Sequence, residues 1–355
     1  MRGIWSRGML VGLLVVAIVL VAACAPATEP TPGTAAPNPE ASKVYVLKMQ
    51  ALAAPGEMWR MEPLQQRLTE MSKGRLKIKA FSSGEIVPTV EILDAVASGV
   101  LDMGWFCGAY VSDKIPIAAV EFGLPFSWTD VGLDVYNIFW ERGLLDLVRE
   151  AYGEHGVYYV GPVHTAPYSL LAKTEARGIE DLRKMKIRST GITAKALNNA
   201  GIPTVYVPVE ETYVALATGT IDGVVYGGAG DYRDTKFYEV AKYYYRPPIM
   251  ASSTCNVLVN MDVWNSLPSD LQAILVYGTS DYSQWMAFNY LDFEYQALEE
   301  MGKQGLKVVT LPDETVAELV EAALPLWDEV AASSPRAAKG VEIVKDWFRT
   351  KGVIE

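Results

Sequence analysis

The sixteen residues Glu91–Phe106, EILDAVASGVLDMGWF, return 120 positions later at Glu211–Tyr226 as ETYVALATGTIDGVVY. Each copy reads as a short helix stopped by Gly, a Leu-Asp or Ile-Asp pair, and then an apolar strand. Identical residues stand at Glu91/Glu211, Ala95/Ala215, Ala97/Ala217, Gly99/Gly219 and Asp102/Asp222. One supersecondary unit used twice at this distance predicts two similar α/β lobes, with a cleft where their strand ends meet. Such a hinged cleft suits ligand capture better than rigid catalysis.

The flanking pattern agrees with that architecture. Val44–Met49 and Arg75–Phe81 read as strands separated by a helix over Trp59–Met71. The first repeat copy follows, giving a βαβαβ order and a largely parallel sheet with helices on its faces. An amphipathic helix is expected over Leu133–Tyr152, with strands at Val157–Val160 and Ser169–Lys173. The second lobe runs through strand Met185–Arg188, helix Thr193–Ala200 and the second copy. From Leu271 to about Lys303 there is no Pro, and Gly278 is the only Gly before Gly302 near the end, so one long helix, with Ser269 as its N-cap, should cross the backs of both lobes. The implied boundaries are 43–162 for lobe I with a return segment at about 256–300, and 163–255 for lobe II. Residues 256–355 then hold the return strand, the long helix and C-terminal helices.

The N-terminal residues speak to location. Arg2 and Arg7 precede an apolar run from Met9 to Ala23 that is too short for a spanning helix, so residues 1–23 read as a secretory signal. Val21-Ala22-Ala23-Cys24 resembles a lipobox, which makes Cys24 the expected lipidated first residue and the lipid a membrane anchor. Residues 24–42, rich in Pro, Ala and Thr, cannot bury enough surface to fold and should form a disordered tether. Beyond them only Cys107 and Cys255 remain, each in an apolar stretch, so two buried free thiols are expected. The net charge of −11, with no Lys/Arg run, argues against a nucleic-acid partner.

Catalytic constellations are scarce. The two His, His155 and His164, belong to no HExxH motif, and no GxSxG elbow, CxxC pair or phosphate-cradling loop is present. An enzyme is therefore not expected. Asp102 and Asp222 open strands in both copies and suit a structural turn, while Glu210 and Glu211 suit a helix N-terminus. The candidate anchor is Arg188 in KMKIRSTG, at a strand end before a helix, where open α/β sheets bind ligands. A guanidinium there can hold a carboxylate through two parallel hydrogen bonds. Trp105, Tyr110 and Tyr226 leave the repeated strands, and Tyr168 precedes another, so all four are candidate walls. Phe106 suits the core.

DLRKMKIRSTG followed by VPVEETYVALATGTIDG resembles extracytoplasmic receptors of the tripartite ATP-independent periplasmic (TRAP) transporters, the DctP family. SSGEIVPTVEILDAVASGVLDMG is similar to their first-lobe loop, which adds Glu85 as a ligand-binding candidate. GAGDYRDTKFYEVAKYYYRPP is similar to the branch that includes α-keto-acid receptors. The resemblance implies a two-lobed, periplasmic-binding-protein-like α/β fold that closes on a small organic anion, with Arg188 clamping its carboxylate. It also implies small and large permease subunits in the membrane as partners. Tyr226 falls where that branch usually has Trp, and Val225 where it can have a metal-binding Glu. A Val side chain cannot ligate Na⁺ or Ca²⁺, so this departure argues against a cofactor and against a 2-oxo-acid ligand, with a Na⁺ or Ca²⁺ ion left as the alternative. A receptor of another transporter or sensor class is the competing expectation. An anchored enzyme acting on a carboxylate would need a base near Arg188, with Glu85 or His164 as first suspects.

Overall fold

The computed structural model describes residues 43–125, 131–250 and 253–352. The signal, Cys24 and the tether lie outside the described residues. The strands are β1 (Tyr45–Ala51), β2 (Leu76–Phe81), β3 (Met103–Phe106), β4 (Val157–Thr165), β5 (Leu170–Ala172) and β6 (Ile187–Arg188). They continue as β7 (Thr204–Val205), β8 (Gly223–Val225), β9 (Tyr243–Arg246), β10 (Ser253–Asn260) and β11 (Lys307–Thr310). Two sheets result, ordered β2-β1-β3-β10-β4 and β11-β9-β5-β8-β6-β7.

The repeat is structural in both lobes. Helix Ile92–Ala97 leads to β3, and helix Val209–Thr218 leads to β8. Gly99 and Gly219 both sit at φ +77°, a left-handed stop that only Gly adopts without strain. The chain then reverses, with Leu101 N–H donating to Ala95 O (3.0 Å) and Ile221 N–H to Ala215 O (3.2 Å). Asp102 accepts from Lys48 N–H at 2.7 Å while its own N–H donates to Lys48 O at 3.0 Å. Asp222 does the same with Lys186, at 2.9 and 2.8 Å. The repeated Asp thus locks β3 onto β1 and the start of β8 onto β6, the structural turn its position suggests.

The sheets are mixed rather than largely parallel. β1 pairs parallel with β2 and β3, but β10 enters between β3 and β4 antiparallel to both. In the second sheet β5 is antiparallel to β8 and β9. Strand direction at these places follows from the two crossings between sheets, which no local pattern encodes. The crossings meet at one antiparallel bridge, Tyr168 with Met250. The expected helix Leu133–Tyr152 is broken at Gly143 (φ +84°): Val131–Tyr136 is followed by a wider turn at Asn137–Glu141, and Leu144–Gly153 is separate.

Helix Ser269–Gly302 contacts both lobes, and Ser269 is its first residue, with Pro268 in the cap position. His164 of β4 binds its Ser283, through Nδ1 at 2.7 Å from Oγ. Glu294, about 16 Å further along by helix geometry, accepts from Ala229 N–H (2.6 Å) and from Tyr244 of β9. Cys107 and Cys255 are buried and free.

The first lobe also buries a carboxyl group. Glu121 on helix Ala118–Phe122 receives Tyr159 Oη and Asn256 Nδ2 on Oε1 and Tyr152 Oη on Oε2, each at 3.1 Å. Burial pushes its pKa from 4.5 up to about 7, against the pull of these donors. A carboxyl group whose folded pKa is raised contributes stability fully below about 4.5 and loses it as pH rises to about 7. The loss amounts to about 3 kcal/mol. Urea denaturation is expected to show a fall in stability between about pH 4.5 and pH 7 that Glu121→Gln reduces. An identical pH profile in the variant would count against Glu121 as its source.

Candidate functional site

Three of the expected wall residues, Trp105, Tyr168 and Tyr226, line one small cavity of about 40 Å³ between the lobes. Leu52, Ala53, Cys255 and Met286 make its apolar side, and Glu57, Arg60 and Asp231 its charged side. Trp105 points from β3, held between Ala51 of β1 and Val257 of β10. Tyr168 reaches the cavity from the bridge at which the sheets cross, and its ring packs on Phe122 with centroids 5.5 Å apart. Tyr226 follows β8, as Phe106 ends β3 in the other copy.

Arg188 lies just behind this wall and is 1 % exposed. Nε donates to Val207 O (2.9 Å), Nη1 to Val225 O (3.4 Å) and Nη2 to Tyr110 Oη (3.2 Å). The Tyr206 and Tyr226 rings face the guanidinium with centroids at 5.8 and 5.4 Å. All of these partners are neutral, although a guanidinium stays charged even when buried. Tyr110 comes from the turn after β3 and Arg188 from β6, so their hydrogen bond ties the lobes together.

Glu85 stands apart from this group. It is exposed and accepts from Ser82 N–H at 2.9 Å and Ser82 Oγ at 3.0 Å, closing its own turn. The carboxylate that meets this loop from the other lobe is Glu210, 3.3 Å from Ser83 Oγ and 3.4 Å from Thr89 Oγ1. His164 is committed to Ser283 of the long helix.

The charged side of the cavity has no counterpart among the sequence expectations. It begins in Pro55–Met61, the turn that leaves β1. Gly56 lets that turn approach Asp234, since a Cβ there would lie 2.2 Å from Asp234 O. Arg60 pairs with Asp231, and its Nη2 donates to Asp234 Oδ2 at 2.9 Å. Trp59 Nε1 donates to the same Asp234 oxygen at 3.0 Å. Burial opposes the charge on Arg60, but Asp231, Glu57 and Asp234 outweigh it and hold the group protonated. Glu57 Oε2 accepts from Ala54 N–H (2.7 Å) and Tyr226 Oη (3.0 Å). Burial raises the Glu57 pKa to about 8, with Arg60 pulling it down. Among the described residues no three His, Cys, Asp or Glu side chains converge as a metal cage.

Two lobes joined by two crossings and one long helix, with a small cavity between them, are the architecture of a binding protein. The chain matches the family described as bacterial extracellular solute-binding protein, family 7 (DctP), over residues 57–334. It belongs to that family and is a solute-binding receptor of the TRAP transporter class, not an enzyme. It is 28% identical over 276 residues to a monocarboxylate 2-oxoacid-binding periplasmic protein of Nostoc sp., covering 76% of this chain and 74% of the relative. A TRAP periplasmic solute-binding protein of Chromohalobacter salexigens, solved with bound (S)-(+)-2-amino-1-propanol, superposes with a TM-score of 0.80 at 25% identity. That match covers 86% of this chain and 96% of the other. Another from Colwellia psychrerythraea, with bound calcium and pyruvate, gives 0.78 at 25% identity, covering 87% and 95%. No helix among the described residues is long and apolar enough to cross a membrane.

Proposed function

We propose that this protein is an extracytoplasmic lipoprotein that captures a small organic carboxylate on Arg188 and passes it to the membrane subunits of a TRAP permease. One observation carries the carboxylate: a fully buried guanidinium whose protein partners are two carbonyls and a phenol. A buried charge left without a counter-ion is costly, and a ligand carboxylate offsets that cost with charge-assisted hydrogen bonds. Opening of the lobes about the Tyr168–Met250 bridge would part Tyr110 from Arg188 and free Nη2 for the ligand. Closure would then bury the bound acid. The Nostoc and Colwellia relatives, described with 2-oxoacids and pyruvate, support this reading.

A small amine is the second reading. It is favoured by Glu57 and Asp231 on the cavity wall and by the amino alcohol in the Chromohalobacter protein. Arg60 already pairs Asp231, and burial keeps Glu57 largely protonated near neutral pH, which leaves Arg188 as the stronger attraction. A thermal-shift screen of organic acids beside small amino alcohols separates the two, because a ligand raises the melting temperature in proportion to its occupancy. Shifts with acids are expected; shifts with amino alcohols alone would reverse the assignment.

The anchor has its own test. Cys24→Ser in the full chain is expected to remove fatty-acid labelling and move the protein from the membrane fraction to the soluble extracytoplasmic fraction. Unchanged membrane retention would exclude Cys24 as the lipid site.

A further inference from the structure

We propose that Trp105 and Arg60 form a donor corner that reads an acceptor oxygen on the ligand beyond its carboxylate. The site then selects oxo or hydroxy acids over unsubstituted acids, and does so with N–H groups rather than a cation. This inference rests on the carboxylate reading of Arg188.

Trp105 is 8 % exposed and Arg60 mostly buried, and both line the same cavity. Trp105 Nε1 and Arg60 Nε are both buried without a hydrogen-bond partner. Buried N–H groups are rarely left unpaired, because each forfeits the water it had in the unfolded chain. Two on one small cavity, one from β3 and one from the turn after β1, point to a shared acceptor. The side chains of Leu52, Ala53 and Met286 on the same wall offer no oxygen acceptor, and the Thr165 hydroxyl is bonded to Ser253.

The charge around Arg60 defines the acceptor. Its terminal nitrogens are taken by Asp231 and Asp234, and Glu57 lies 3.8 Å from Nη1. Nε therefore offers a donor within a cluster whose positive charge is already matched. A second ligand carboxylate would face three acidic residues, whereas a carbonyl or hydroxyl oxygen would not. An ammonium group carries only donors and would oppose both N–H groups. A site built to hydrogen-bond an oxygen rejects the analogue lacking it, because its own donors are then stranded.

The test is calorimetric titration of the purified protein with oxo, hydroxy, amino and unsubstituted acids of matched carbon skeleton, starting from pyruvate, L-lactate, L-alanine and propionate, with a chelator present. The wild type should bind pyruvate or lactate at least about 10-fold tighter than propionate or alanine. Trp105→Phe should erase that preference, bringing the affinity ratio of pyruvate to propionate to within about twofold of one. As a check that needs no variant, the indole N–H resonance of Trp105 should move on adding pyruvate and not on adding propionate. Equal affinity for all the acids, a preference that survives Trp105→Phe, a preference for alanine, or a preference that appears only without chelator would each overturn the donor corner while leaving Arg188 as the anchor. Binding of no carboxylate at all would overturn the carboxylate reading, and this inference with it.

Discussion

Arg188→Ala is expected to weaken binding of the protein's carboxylate by about 3 kcal/mol, on the order of a hundredfold in Kd. That is the size of a charge-assisted hydrogen bond removed from a buried site. The substitution also strips donors from Val207 O and Val225 O, so part of its effect will be on stability. Arg188→Lys separates the two, since Lys keeps the charge but not the paired geometry. It should recover some affinity without matching the wild type. Calorimetry on folded variants, checked by thermal melts, reads both. Unchanged affinity in Arg188→Ala would remove Arg188 from the site.

The second large effect concerns stability. Arg60→Ala leaves Asp231 and Asp234 without their common cation in a mostly buried place, where side-chain exposures are 13%, 11% and 8%. Breaking one side of a buried ion pair costs about 3 kcal/mol or more. For a chain of this length that lowers Tm by on the order of 5–10 °C. Asp234 keeps Arg233 at 2.9 Å, so the carboxylate stranded by losing Arg60 is Asp231, and Arg60→Met combined with Asp231→Leu should regain much of the loss. A double variant as unstable as Arg60→Ala would show that packing, not charge, governs this pairing.

These two arginines differ in how visible they are in the sequence. Arg188 can be found because its neighbourhood is local: a strand end, a helix start and the repeat that follows. Trp105 and Tyr226 are visible for the same reason, as aromatic residues close to the ends of two like strands. Arg60 meets Asp231 across 171 residues, and nothing near either one announces the other. Its only local sign is the position after β1, in a turn whose Gly56 permits close approach to the opposite lobe. Glu85 shows the converse: an acidic residue in a suitable loop that spends its carboxylate on its own turn. The antiparallel course of β10 is illegible for a similar reason, because strand direction depends on where the chain comes from, not on its alternation.

The way Asp102 and Asp222 hold their strands has a consequence for how such a receptor can change. Each carboxylate grips only main-chain atoms of the neighbouring strand, so the grip is indifferent to the side chains around it. Although the main chains of Trp105, Phe106 and Val225 pair within the sheets, the side chains just downstream, Trp105 and Phe106 in one lobe and Val225 and Tyr226 in the other, take no part in that grip. They form a cassette that can be exchanged in place. Transplanting those positions between receptors should alter what is carried without disturbing the frame that carries it, which makes this doubled unit a practical handle for building sensors with chosen cargo.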